Sequence, residues 1–402
     1  MGKGVKGLEK NPVVIVAAAR TPMGAFQGDL APVAAPELGA AAIAATVARA
    51  GLAPETVDEV LMGCVLPAGL GQAPARQAAL GAGLPEKVPA TTVNKMCGSG
   101  MKTVMIGFEA LHARPRDAII AGGMESMSGA PYLLPKARDG MRLGHGEVVD
   151  HMFLDGLEDA YDRGRLMGSF AEDTAEAYQF TREAQDAYAE TSLTRARKAV
   201  EGGTFSSEIV PVVVKGRKTS KTIENDESPL KADPARIGQM RPAFRAGGTV
   251  TAANSSSISD GAAALLLMRA DEAEARGLTP LARIAGIASH AQAPALFTTA
   301  PIGAIKALEE ATGWNRDTVD LYEINEAFAV VAMAALRDLD LDAARVNIRG
   351  GACALGHPIG ASGARILVTL LAALEAEGLS RGVAALCIGG GEATAVAIER
   401  MV

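Results

Sequence analysis

One plan is written twice along this chain. "CGSGMKTVMIGFEAL" (97–111) and "GASGARILVTLLAAL" (360–374) each set a glycine-rich turn before an apolar run at helical spacing. Each is followed by a strand that runs into glycines, "DAIIAGG" (117–123) and "AALCIGGG" (384–391). Two copies of one turn–helix–strand unit imply two similar halves, with a site expected at the seam where the copies meet. At 402 residues the chain also exceeds what one hydrophobic core usually organises.

The elements around the repeat point to a layered α/β core. "PVVIVAAAR" (12–20) is nearly all apolar, as in a strand buried on both faces. "PELGAAAIAATVARAGL" reads as a helix, "VDEVLMGCVL" as a strand, "ARQAALGAGL" as a helix and "ATTVNKMC" as a strand ending at Cys97. This alternation predicts a mainly parallel sheet. Residues 126–250 differ: they hold most of the Tyr and Phe and many charges, and read as an inserted region with one long amphipathic helix over "AEDTAEAYQFTREAQDAYAETSLTRARKAV". The expected division is 1–125 for the N-terminal half, 126–250 for the insertion, 251–276 for a return to the first half, and 277–402 for the C-terminal half.

Charge and cysteine usage remove several functions. A formal net charge of −7 argues against bulk nucleic-acid binding, and no apolar run reaches a membrane span. Four cysteines in so long a chain, without a secretory signal, do not form a disulfide framework; a reducing cytoplasm is expected.

Reactive side chains gather in four stretches: "NKMCGSG" (94–100), "YEINEAFAV" (322–330), "GGACALGHPIGASG" (350–363) and "LCIGGGE" (386–392). Cys97 could be a buried spacer, a metal ligand or a nucleophile. Its glycine neighbours leave room for a substrate, and a helix N-terminus favours a thiolate by about 0.3–1 kcal/mol, up to about 2 when partly buried, which favours the nucleophile. His357, between Gly356 and Pro358, is placed either for a structural hydrogen bond or to take a thiol proton. Asn325 reads as a helix N-cap or as an amide that holds water. Cys387 reads as strand packing or as a partner in chemistry. A zinc site from Cys97, Cys353, Cys387 and His357 is the rival, but no C-x2-4-C knuckle supports it. No complete G-x-G-x-x-G follows a strand, which weighs against a dinucleotide.

Together these stretches resemble the thiolase family, in particular its acetyl-CoA acetyltransferase (acetoacetyl-CoA thiolase) branch, from about Val13 to Ile398. "AARTPMGAFQG", "AGGMESMS", "RPAF", "GTVTA" and "SDGAAAL" match as well. The resemblance implies a five-layer αβαβα fold of two similar halves, an inserted loop domain over the coenzyme A site, and a homodimer or homotetramer. It implies reversible Claisen condensation of two acetyl-CoA to acetoacetyl-CoA and CoA, within fatty acid metabolism, with no bound cofactor or metal. By motif, Cys97 is the acylated nucleophile, His357 its base, Cys387 the acid/base at the substrate α-carbon, and Asn325 a holder of catalytic water. The backbone N–H groups of Cys97 and Gly389 are placed around the oxyanion, and Ser256, Arg217 and Met167 beside CoA.

The chain departs from the family at three places. It has "ANSSSISDG" where "GNASGLNDG" is frequent, Leu166 where short-chain members carry His before Met-Gly, and Cys353 where Ile or Val is common. Leu166 keeps a broader 3-ketoacyl-CoA thiolase as the alternative. A structural zinc protein and an inactive CoA-binding module are the remaining ones.

Overall fold

The computed structural model describes residues 11–113, 118–216 and 218–401. Its spine is a ten-stranded mixed sheet. Nine strands run in the order Leu321–Ile324, Arg381–Ile388, Glu392–Arg400, Ala282–Ala291, Val13–Arg20, Ser259–Arg269, Ala118–Ser126, Val57–Gly63 and Ala90–Val93; Gly24–Ala25 pairs onto the Ser259 strand. The order has the same pattern in both directions from its middle. From Val13–Arg20 the ladders run antiparallel, antiparallel, then parallel, and from Ala282–Ala291 they do the same. Among the described residues, the pairs Val14↔Arg283 and Ile15↔Ala282 alone join the two half-sheets. The duplication therefore extends from one repeated unit to the whole topology.

The sheet is not mainly parallel, as the alternation had suggested. Parallel pairing is confined to the outer strands, which follow helical crossovers, whereas Ser259–Arg269 and Glu392–Arg400 enter antiparallel beside each half's first strand. A strand apolar on both faces carries no signal for direction.

Alternating side chains sort the layers. Val14, Val16, Leu266 and Met268 face the helices Ala35–Ala50 and Pro74–Gly81. Val13, Ile15, Leu265 and Leu267 face inward onto the central helices Ser99–Ala113 and Ser362–Ala376, which also meet Leu386, Val396 and Ile398 of the other half. The far face of that half, with Val383, Ala385 and Ala395, packs under Ala300–Thr312 and Ala329–Asp338. The result is the five-layer αβαβα arrangement. The two central helices touch backbone to backbone at their N-termini: a Cβ on Gly100 would lie 2.9 Å from the Ala364 amide nitrogen, and one on Gly363 would collide with the Met101 amide.

Among the described residues, 127–258 lie outside the large sheet. They form two small ribbons, Tyr132–Leu133 with Val149–Asp150 and Val212–Lys215 with Ser220–Ile223, together with helices. The single long amphipathic helix expected here is two, Met167–Tyr178 and Arg182–Glu201. Gln179 turns left-handed (φ 54°), and Thr181 caps the second helix by accepting from the Ala184 amide.

Candidate active site

A cavity of about 390 Å³ lies at the seam. Cys97, His357, Cys387 and Gly389 line it from the two halves, and Phe153, Leu166, Met167 and Phe244 close it from the inserted segment; Ser256 lines it too. Arg217 lies outside the described residues.

Cys97 is lifted out of the strand expected to end at it. The ladder stops at Val93; Asn94 Oδ1 then accepts from the Met96 amide (3.0 Å), Met96 takes φ 47°, and the Lys95 amide donates to Ser99 Oγ (2.8 Å). This turn delivers the sulfur to the start of the Ser99 helix. Burial pushes its thiol up to about 11, while the N–H groups of Gly389 and of Cys97 itself, both aimed at the sulfur, pull the other way; Glu125 adds to the rise. Desolvation thus exceeds the benefit expected from the helix end, and the resting group is a thiol.

His357 sits on a fixed turn. Gly356 has φ 101°, a left-handed conformation, and a Cβ there would collide with Ser259 Oγ. The His357 amide donates to the Ser257 carbonyl (3.0 Å). Its Nδ1 lies 2.5 Å from Ser362 Oγ, whose hydroxyl donates to the Pro358 carbonyl (3.0 Å). That network assigns the ring proton to Nδ1 and leaves Nε2 as a buried lone pair without a protein partner. Burial, with a smaller contribution from Arg365, lowers the imidazole to about 3, so it is neutral throughout the ordinary pH range.

Asn325 follows the Leu321–Ile324 strand, its amide donating to the Ala385 carbonyl (3.0 Å). Its Nδ2 lies 3.5 Å from His357 Nδ1, and its Oδ1 is buried with no protein partner. It is not an N-cap: the next helix begins at Ala329 with Phe328 in the capping position. Cys387 is the penultimate residue of the Arg381–Ile388 strand, and burial, then the neighbouring Cys97 sulfur, raise its thiol well above the ordinary range.

Cys353 does not line this cavity. Its amide donates to Glu326 Oε2 (3.1 Å) and its thiol to the Glu326 carbonyl (3.7 Å). The Cys3His set therefore does not converge, and among the described residues no group of three or more His, Cys, Asp or Glu side chains could hold a metal ion.

Three supporting residues carry no local signal strong enough to single them out in the sequence. Ser362 stands in the repeated "GASG" turn, where its spacing from His357 was the available sign. Glu326, beside Asn325, accepts from Ser192 Oγ (2.7 Å), Asn347 Nδ2 (2.8 Å) and Tyr188 Oη (3.0 Å), tying the Asn325 loop to the Arg182–Glu201 helix. Glu125 accepts from the amides of Val65 (3.0 Å), Leu66 (3.1 Å) and Gly360 (2.8 Å), bridging the halves. Burial raises its carboxyl to about 7 against those donors.

Residues 13–271 match the thiolase N-terminal domain and residues 278–400 the thiolase C-terminal domain. Similar proteins include the acetyl-CoA acetyltransferase of Pseudomonas aeruginosa, 50% identical over 390 residues that cover 96% of this chain and 99% of that protein. That of Escherichia coli K12 is 51% identical over 390 residues, covering 96% and 99%. Acetyl-CoA acetyltransferase 2 of Arabidopsis thaliana is 52% identical over 391 residues, covering 96% of each.

Proposed function

The chain belongs to the thiolase family, and we propose that it is an acetyl-CoA C-acetyltransferase that condenses two acetyl-CoA to acetoacetyl-CoA and CoA, reversibly, through an acyl-enzyme on Cys97. The observation that carries this is a single cavity holding two thiols, a free imidazole lone pair and two N–H groups aimed at one of the sulfurs.

The proton inventory closes. Cys97 gives its proton to His357 Nε2 as its sulfur attacks the thioester carbonyl, and the N–H groups of Cys97 and Gly389 stabilise the resulting oxyanion. A thiol near 11 beside an imidazole near 3 does not ionise at rest, so transfer accompanies attack. The departing CoA sulfur takes that proton from His357. As a second acetyl-CoA binds, Cys387 passes its own proton to His357 and removes the α-proton, and the resulting carbon nucleophile attacks the acyl group on Cys97. Collapse expels the Cys97 thiolate, which recovers its proton from His357. Asn325 Oδ1, a buried acceptor unpaired by protein, suits the holding of a water. The chemistry draws on no bound cofactor or metal; the CoA thioester is the substrate.

The inserted segment supplies Leu166, Met167 and Phe244 to the cavity wall, in keeping with a cover over the pantetheine arm, and Ser256 lies on the same wall. Arg217 is assigned to the nucleotide end by motif. We assign the enzyme to the cytoplasm and to fatty acid metabolism, as a homodimer or homotetramer; exposed Leu134, Leu143 and Val148 supply apolar surface for assembly. Among the described residues no helix is long and apolar enough to cross a membrane.

Incubation with acetyl-CoA should add one acetyl group to Cys97 by intact mass, and acetoacetyl-CoA should be thiolysed. Leu166 on the wall favours one second reading: a kcat/KM for a long-chain 3-ketoacyl-CoA well above that for acetoacetyl-CoA would move the chain to the degradative class.

A further inference from the structure

The two N–H groups aimed at the Cys97 sulfur come from different halves. One belongs to the turn before the Ser99 helix. The other belongs to the three-glycine turn Gly389–Gly391 that joins Arg381–Ile388 to Glu392–Arg400. Their spacing depends on how two separate turns are held against each other.

The glycine turn is not stiff by composition. Gly390 and Gly391 have φ 96° and 87°, and Gly391 is tied back by its carbonyl accepting from the Gln292 amide (2.8 Å). Across the seam, the Lys95 ammonium meets the Glu392 carboxylate. Lys95 stands two residues before Cys97; Glu392 pairs with Ile388 directly beyond the glycines. The side chains are 25% and 37% exposed. A pair so exposed adds little to global stability. Its consequence lies in where it holds the two turns.

We propose that the Lys95–Glu392 ion pair is a positioning clamp that sets the spacing of the Cys97 and Gly389 N–H groups around the reacting sulfur and the thioester oxyanion. This rests on the acyl-transfer reading above. Neither Lys95 nor Glu392 lines the cavity, so the clamp acts through the two turns. The donors engage charge that develops in the transition state, so a loosened clamp lowers kcat and leaves KM nearly unchanged. Outright loss of an oxyanion donor lowers kcat by about 10²–10³-fold; a displaced donor should cost less, about 10-fold.

The test uses Lys95→Met, Glu392→Gln and the reversed pair Lys95→Glu/Glu392→Lys. Both single variants should lose about 10-fold in kcat at unchanged KM and unchanged Tm. Alkylation of Cys97 by iodoacetamide should slow, with its rise displaced to higher pH, because a donor to the thiolate has moved. His357, Cys387 and Glu125, the titratable groups around that sulfur, are untouched by these changes. The reversed pair should regain most of the rate. High salt should slow the wild type and leave the single variants unaffected. Wild-type kcat and alkylation profile in both single variants, or losses that track Tm, would overturn the clamp. Alkylation needs no acyl donor, so a wild-type protein that never acylates while the variants still shift their alkylation would sink the acyl-transfer reading alone.

Discussion

The two halves share a topology and divide the chemistry. In the N-terminal half the turn before the central helix presents Cys97; at the same place in the C-terminal half stands Gly360, whose amide is spent on Glu125. The strand ends differ in the opposite sense. Ala118–Ser126 carries Gly122 and Gly123, the latter packed so closely on the Gly360 carbonyl that no side chain fits, whereas Arg381–Ile388 carries Cys387 into the cavity. In the proposed reaction one half brings the nucleophile and one oxyanion donor. The other brings the imidazole, the second thiol and the second donor. A duplicated scaffold therefore yields an asymmetric site that neither half assembles alone.

Removing the nucleophile tests that division most severely. Cys97→Ala should abolish acylation by acetyl-CoA, because the other thiol lining the cavity, Cys387, lies on a strand, and Cys353, at a helix start, does not line it. Acetylation of the variant by intact mass would break the comparison. In the wild type the thiol near 11 fixes the sign of the pH dependence: alkylation of Cys97 should rise roughly tenfold per pH unit from neutral pH toward 11, since the thiolate fraction does.

Cys387→Ala should spare acylation and damage the carbon–carbon bond-forming step. The variant should still acquire an acetyl group on Cys97, yet lose about 10²–10⁴-fold in condensation and in solvent-deuterium exchange of the acetyl methyl, the effect of losing one general acid–base group. Methyl exchange at the wild-type rate, monitored by proton NMR in D2O, would reassign the second thiol to packing.

The share of the molecule legible in its sequence depends on the range over which each signal acts. Cys97 before a helix, His357 between Gly356 and Pro358, and Cys387 before three glycines are local features, and all three meet in one cavity. Strand direction was not legible, because uninterrupted apolar runs such as "PVVIVAAAR" carry no directional information. The break at Gln179 is marked by neither Gly nor Pro; Thr181, as cap of the second helix, is the one local sign of it. Glu125 and Glu326 were invisible for a different reason. Their partners, Gly360 for one and Ser192 and Tyr188 for the other, lie far along the chain.

Within the C-terminal half, Ser362 separates positioning from chemistry. Ser362→Ala removes the acceptor for His357 Nδ1–H and leaves that buried donor unpaired, a loss of about 1–3 kcal/mol, so acylation should slow by about 5–160-fold. Thr at this position should recover the rate, as it keeps the hydroxyl. Pre-steady-state acylation measures both, and a Thr variant no faster than Ala would remove the serine from the relay.

Cys353 gives the smallest expected effect and the sharpest control. It lies four residues before His357, and burial, followed by Glu326, raises its thiol well above the ordinary range, as burial does for Cys387. Perturbation alone therefore does not distinguish a catalytic thiol from a packed one; the cavity does. Cys387 lines it, while Cys353 turns its sulfur to the Glu326 carbonyl. Cys353→Ala keeps the amide that donates to Glu326 and loses only the sulfur, so both acylation and methyl exchange should match the wild type. Stability should fall by at most about 1 kcal/mol, since the residue is only partly buried, readable as a lower urea midpoint at unchanged m. Impaired exchange in this variant would place a third thiol in the chemistry of the C-terminal half. Stoichiometric zinc in the wild type, lost in the variant together with the fold, would replace the division of labour between halves with a shared metal centre.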